Sequence, residues 1–266
     1  MSNYNNVQKQ TEPTRQKSEQ RAVQKEEAAT QVTDRYVVDL ETVIGDVVNL
    51  LVERHYAEAE RQLYSVINLL SPEQFLLDLL IPIEIQLGEL WQNHTIGVVT
   101  EHMASSWLRQ HVESLLTKQQ SYEEAPLVLC ACAPGELHEL GMLSLSYFLR
   151  RAKIHALYLG ANLPANELVT MVANSRPVAV CLSAATTSTA LRLIPLLHQL
   201  NEEKRGYAPI VGYGGRFFNL LPEAQRATLP GVYLGFHAAV GSLIVLDKLN
   251  QVNQALPLLE ARVATY

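Results

Sequence analysis

From Tyr36 to about Gln120, apolar residues recur at steps of three and four. Leu40, Val43, Val47 and Leu51 fall on one face, and Ala59, Leu63, Val66 and Leu70 on another, which predicts two amphipathic helices with a break near His55. Ser71-Pro72-Glu73-Gln74 then places a capping residue, a first-turn proline and a capping-box glutamine ahead of Phe75-Leu76-Leu77. That is the pattern of a sharp helix start, and Pro82 is expected to kink the helix it begins. After a break at Thr95-Ile96-Gly97, a fourth helix is expected from about Val98 to Leu116. Four helices on short loops make a bundle.

Beyond Lys118-Gln119-Gln120-Ser121 the period changes. Continuous apolar runs at Leu127–Cys132, Ile154–Leu159, Val178–Leu182, Pro209–Gly212 and Val232–Leu234 alternate with amphipathic segments at about 137–152, 165–174, 188–203, 218–227 and 236–250. Strands without polar alternation are covered on both faces, so this part reads as a parallel sheet between helices. The expected architecture is α plus α/β: an N-terminal four-helix bundle, then a Rossmann-like (flavodoxin-like) doubly wound sheet of five parallel strands. Its divisions are a flexible polar tail at 1–34, the bundle at 35–120, the sheet domain at 125–255 and a C-terminal tail at 256–266.

Composition narrows the function. The chain of 266 residues is 48% hydrophobic, enough for real cores, and its 21 Lys+Arg against 27 Asp+Glu leave a formal charge of −6. That charge gives no sequence-independent grip on a phosphate backbone, so control of DNA is expected to run through a protein partner rather than through direct nucleic-acid contact. The cysteines, Cys130, Cys132 and Cys181, lie in apolar strand-like runs, an odd number without disulfide or zinc spacing, and read as small buried hydrophobes in a reducing cytoplasm. No signal-peptide pattern and no run of 18 apolar residues is present, so neither secretion nor a membrane span is expected.

In a doubly wound sheet, ligands sit beyond the carboxyl ends of the strands. The first strand is followed by Pro134-Gly135-Glu136-Leu137-His138-Glu139-Leu140-Gly141, an imidazole with a carboxylate two residues before it. Alone, Glu-x-His-x-x-Gly is a weak signal, because a lone loop histidine is more often a surface or capping residue. The third strand, however, ends in Ser183-Ala184-Ala185-Thr186-Thr187-Ser188 and the fourth in Gly212-Tyr213-Gly214-Gly215. Small hydroxyl residues and paired glycines let backbone approach a ligand closely. No Gly-x-Gly-x-x-Gly follows the first strand and no Walker lysine exists, which removes the nicotinamide and nucleoside triphosphate readings. In the bundle, Trp91 and Glu101-His102 stand at Trp-x9-Glu-His spacing. Taken alone they are a core aromatic at a helix end and a first-turn acid favoured by the helix dipole.

Together these residues resemble the cobalamin-binding domain of methionine synthase, corrinoid methyl carriers and adenosylcobalamin mutases, which carry Asp-x-His-x-x-Gly after strand one, a Ser/Thr-rich third strand end and Gly-Gly after strand four. The resemblance implies that His138 is the lower axial ligand to cobalt, displacing the cofactor's own dimethylbenzimidazole. Glu136, where the family has Asp, would accept the imidazole N–H. Gly141 completes the motif, and Ser183, Thr187, Gly214 and Gly215 would line the slot for the nucleotide tail. The bundle spacing resembles that of CarH-type cobalamin photoreceptors. By that resemblance Trp91 fills the space beside the upper ligand, Glu101 bonds an adenosyl ribose and His102 packs beside them. Those repressors begin with a winged-helix DNA-binding domain, whereas a polar tail precedes the bundle here, so the layout is similar to the stand-alone antirepressors of the AerR type.

The implied function is a cobalamin-dependent light sensor and transcriptional regulator, not an enzyme, that acts on a transcription factor or other protein and changes domain packing or oligomeric state. Adenosylcobalamin is the first expectation, with methylcobalamin and hydroxocobalamin as further forms. The histidine that coordinates cobalt after illumination in the family is replaced here by Gln92, which leaves His94 or His102 to offer an upper imidazole. Two alternatives remain open: a corrinoid methyl carrier of a methyltransferase system, and a haem sensor, because a neutral His138 ligates iron as readily as cobalt. His55, His111, His155, His198 and His237 read as structural or exposed.

Overall fold

The computed structural model describes residues 39–202 and 207–263, with side chains described as far as residue 252. The tail expected at 1–34 lies outside the described residues. Four helices form first: α1 (Leu40–Val52), α2 (Tyr56–Ile67), α3 and α4 (Val98–Thr117). In α3, the segment Pro72–Gln74 continues through a π-helical Phe75–Leu80 into Ile81–Gln92.

The start of α3 is the expected capping box. Ser71 Oγ accepts the Gln74 N–H at 3.1 Å while Gln74 Oε1 accepts the Ser71 N–H at 3.0 Å. The disturbance expected from Pro82 is taken up one turn earlier. Proline lacks an N–H and its ring crowds the carbonyl four residues back. In the π segment the bonds instead reach five residues back, as from the Ile81 N–H to the Leu76 carbonyl, and the chain gains a residue per turn. This register sends Phe75, Leu76, Leu79 and Leu80 all into the core. Beyond α3, Asn93 and a left-handed His94 (φ 57°) turn the chain toward α4, whose Ala104, Leu108, Val112 and Leu116 make one buried stripe.

The second half alternates strands and helices: β1 (Leu127–Cys132), α5 (Leu140–Arg151), β2 (His155–Tyr158), α6 (Ala165–Ser175), β3 (Ala179–Ser183), α7 (Thr187–Asn201), β4 (Ile210–Gly214), α8 (Arg216–Leu220), α9 (Glu223–Arg226), β5 (Val232–Tyr233) and α10 (Ala238–Val263). The segment expected as one helix at 218–227 is two short ones, because Leu221-Pro222 is extended between them. The closing helix runs to Val263, into the stretch assigned to a tail from 256 onward.

All five strands are parallel, in the order β2-β1-β3-β4-β5. Side chains alternate across the sheet. Leu129, Ala131, Val180, Leu182 and Val211 pack against α6 and α7, whereas Val128, Cys130, Cys132, Ala179 and Cys181 pack against α5 and α10. The three cysteines are free and buried. The order reverses between β1 and β3, so their carboxyl ends open the crevice where a ligand is expected.

The bundle docks on this sheet domain chiefly through α4 against α5. Tyr147 of α5 is fully buried, and its hydroxyl reaches Glu73 Oε1 at 3.3 Å. Around it, Arg151 pairs with Glu73 at 2.8 Å and Arg109 with Glu139 at 3.5 Å. Pairs whose basic partner reaches into solvent contribute little, so the apolar contact carries the docking. Replacing Tyr147 by Ala is expected to cost about 3–5 kcal/mol in urea unfolding, by analogy with other buried aromatic truncations. Tyr147→Phe, which loses only the hydroxyl, is expected to cost about 1 kcal/mol or less.

Candidate cofactor site at the strand ends

The loop after β1 is held from both neighbouring strands. The Ala133 N–H donates to the Ser183 carbonyl at 2.9 Å and the Cys132 N–H to the Gly160 carbonyl at 3.1 Å. Asn162 Oδ1 accepts the Gly135 N–H at 2.8 Å, and the Asn162 N–H donates to the Glu136 carbonyl at 3.0 Å. Gly135 has φ +81°, and a Cβ there would run into the Arg192 guanidinium. These bonds make the loop a fixed platform for the Glu136 and His138 side chains.

The Glu136 carboxylate is buried, with 1% of its surface exposed, and takes five donors. Oε1 accepts from the N–H groups of Leu137 (3.0 Å) and His138 (2.9 Å) and from the His138 imidazole Nδ1. Oε2 accepts from the Ala185 N–H at 2.6 Å and the Thr189 hydroxyl at 2.7 Å. Burial opposes ionisation of this carboxyl, but the His138 imidazole and the other donors outweigh it and bring it from its ordinary 4.5 down to about 2. The hydrogen bond to Glu136 in turn raises the His138 imidazole against the opposing effect of burial. With Nδ1–H donating to the carboxylate, Nε2 carries the free lone pair, the tautomer a metal ligand requires.

His138 opens onto a cleft of about 1620 Å³, part of it continuous with solvent. Gly141, Ser183, Gly214 and Gly215 line it from the sheet domain, and Trp91 and Glu101 line it from the bundle. Gly88 of α3 and Gly141 of α5 both border it, and a Cβ at either position would meet nothing within 4 Å. Gly215 must be glycine for another reason: at φ +103°, a Cβ would collide with the Ala184 carbonyl oxygen. Gln92 also borders the cleft, where its Oε1 accepts from Arg216 at 3.3 Å and so links bundle to sheet domain.

Some expected residues sit elsewhere. Thr187 is exposed at the first position of α7 and does not border the cleft; Thr186, the helix cap, does, and Thr189 turns inward to Glu136. His94 is exposed and does not line the cleft. His102 is exposed beside a smaller pocket next to the cleft, with Nδ1 bonded to Glu101 Oε2 at 2.5 Å. His237 borders the cleft although nothing in its spacing marked it. Ala185 and Thr189 were missed for different reasons. The first contributes only its backbone, while the second was signalled by the Thr-x-x-Thr pattern of a helix cap, whose fourth residue folds back over the loop.

Residues 126–241 match the B12 binding domain family, and residues 43–116 match a second B12 binding domain family. The chain carries a cobalamin-binding domain. Over 125 residues, 47% of the chain, it is 33% identical to the HTH-type transcriptional repressor CarH of Myxococcus xanthus. Over 88 residues, 33% of the chain, it is 34% identical to the HTH-type transcriptional repressor CarA of the same organism. The matches cover 42% and 31% of those repressors, so the chain spans less than half of either. The monomethylamine corrinoid protein of Methanosarcina barkeri has the same fold, with a TM-score of 0.65 at 18% identity over 78% of this chain and 98% of that one.

The residues of the cobalamin-binding domain fit the group its family implies. Among the described residues, no cluster of three or more His, Cys, Asp or Glu stands ready to hold a bare metal ion. One imidazole beside a wide, mostly apolar cleft suits a metal that brings its own equatorial ligands.

The Glu136 carboxylate makes the fold acid-sensitive. Because its carboxyl lies below the ordinary value, its contribution to stability is complete above about pH 4.5 and is lost as pH falls toward 2. Glu136→Gln, which presents an amide N–H to groups that are themselves donors, should be less stable than wild type at neutral pH and lose less stability between pH 5 and 2. Parallel urea titrations across that range measure both effects; equal pH slopes would count against the buried carboxylate.

Proposed function

We propose that the protein is a non-enzymatic, cobalamin-dependent light sensor that regulates transcription through a protein partner. One observation carries this reading: an imidazole fixed by a buried carboxylate in the sheet domain opens onto the same cleft as Trp91 and Glu101 of the bundle. A carrier that must surrender its cofactor's upper face to a second protein gains nothing from a tryptophan and a buried acid there. The Trp-x9-Glu-His spacing and the similarity to two transcriptional repressors support the same choice. The net charge of −6 favours a protein partner over direct DNA contact.

Cobalamin supplies a cobalt–carbon bond that visible light can break. The chain's own residues would hold it: His138 Nε2 would supply a nitrogen to the metal, with Glu136 keeping the opposite ring nitrogen protonated, and Gly214, Gly215 and Ser183 would leave room for the nucleotide tail. Trp91 and Glu101 line the cleft from the bundle, where Trp91 would exclude water from the bound group and Glu101 would accept hydrogen bonds from it. Contacts that differ with the upper-face group bias how the bundle rests on the sheet domain, by the differential affinity of the two packings. Gln92 with Arg216 and Glu73 with Arg151 lie where such a shift is felt.

The protein purified with adenosylcobalamin, methylcobalamin, hydroxocobalamin or haem is therefore expected to change its elution volume after green light only in the adenosylcobalamin form, whereas light changes the absorption spectrum of both alkylcobalamin forms. Trp91→Ala should alter that response more than cofactor retention. Elution that light leaves unchanged in every form, together with a methylcobalamin whose methyl group an added methyltransferase removes in the dark, would instead establish a carrier, and retention of haem alone would establish a haem sensor.

A further inference from the structure

Beside the cleft, Ser105 Oγ lies 2.9 Å from Glu84 Oε2 and 2.9 Å from Glu101 Oε1, a bridge between helices α3 and α4. Both carboxyl groups border the cleft, and Glu101 is buried. A serine hydroxyl has one hydrogen and can donate to one carboxylate only. Two ionised carboxylates at those distances would leave one oxygen facing a lone pair, besides repelling each other in a partly dry site. One of the two must therefore supply a proton of its own. Glu101 is already engaged by the His102 imidazole through Oε2. Among the described residues Glu84 has no such imidazole partner. Burial raises its carboxyl; the serine bond opposes this, while the Glu101 charge adds to it and His138 subtracts.

We propose that Glu84 is a positioning residue that keeps a proton in the cleft and donates through Ser105 to Glu101, and that this relay selects an upper-face group bearing hydroxyl donors over a small apolar one. The selectivity rests on the proposed cobalamin function; the shared proton does not. Ser105 and His102 hold both oxygens of Glu101 in place at the edge of the cleft, with lone pairs left over. A ligand with hydroxyl groups satisfies them. A methyl group leaves a desolvated carboxylate without its full set of donors, a cost of the kind that lets polar pockets reject apolar analogues. Glu84→Gln keeps an N–H for Ser105 and carries no charge, so it reproduces the protonated acid. Glu84→Leu removes the donor, and Ser105→Ala removes the bridge.

Two measurements test this. Infrared difference spectra of the cofactor-free protein near neutral pH should contain the carbonyl band of a protonated carboxylic acid, and the band should vanish in Glu84→Gln. The ratio of adenosylcobalamin to methylcobalamin affinity, from quenching of tryptophan fluorescence, should fall about tenfold in Glu84→Leu and Ser105→Ala, the worth of one hydrogen bond to a charged group, and be retained in Glu84→Gln. Absence of the band from wild type overturns the proposal, and so does an unchanged ratio in Glu84→Leu. A band present in a protein that takes neither cobalamin would sink the cofactor and the selectivity while leaving the shared proton standing.

Discussion

The site depends on a single buried carboxylate. Glu136 gathers the backbone of its own loop, the N–H of Ala185 at the end of the third strand, the hydroxyl of Thr189 and the His138 ring into one hydrogen-bonded knot. A charge so far from water is tolerable only because both of its oxygens are answered by donors. The same donors explain why glutamate serves where a shorter acid would be expected. The extra methylene lets one oxygen stay with the imidazole while the other crosses to β3 and α7, so the loop, the ring and the neighbouring strand end move as one body. A metal ligand on such a platform keeps its tautomer and its direction before any metal arrives.

The sheet provides the place and the bundle the lid. Because the connections that follow the paired strands β1 and β3 run to opposite faces of the sheet, α5 on one and α7 on the other, a crevice is left at their carboxyl ends. The bundle closes over it through Tyr147 and the α4–α5 contact, which bring Trp91, Glu101 and Glu84 to the opening. Elsewhere the two lobes are also joined by ion pairs and by the Gln92–Arg216 bond, interactions weak enough to exchange. A rigid floor with a weakly latched cover is the arrangement in which a change at the upper face of a ligand alters the packing of the whole.

Much of this was legible in the chain because its signals were local. The strand ends, the Ser71 capping box and the Trp91 to Glu101 spacing each lie within a dozen residues, and the structure brings Trp91, Glu101, His138, Ser183 and the Gly214-Gly215 pair to one cleft. What escaped was set by register or by distance. Placing the cap of α7 at Thr186 turns Thr187 to solvent and Thr189 inward, a difference of one position that a run of hydroxyl residues does not reveal. The response to Pro82 is a π segment beginning at Phe75, where nothing in the periodicity announces it. Glu84 meets Ser105 across two helices, and Gln92 meets Arg216 across 124 positions, pairings that only the folded topology brings together.

The central claim is that the protein, not the cofactor, provides the lower ligand, and electron paramagnetic resonance tests it directly. With cobalamin bound and its cobalt reduced to the paramagnetic divalent state, the account predicts nitrogen splitting from one axial imidazole that changes when histidine is labelled with ¹⁵N and disappears in His138→Ala. Splitting that is indifferent to the label would mean that the cofactor's own base remains on the metal, and the account would be wrong.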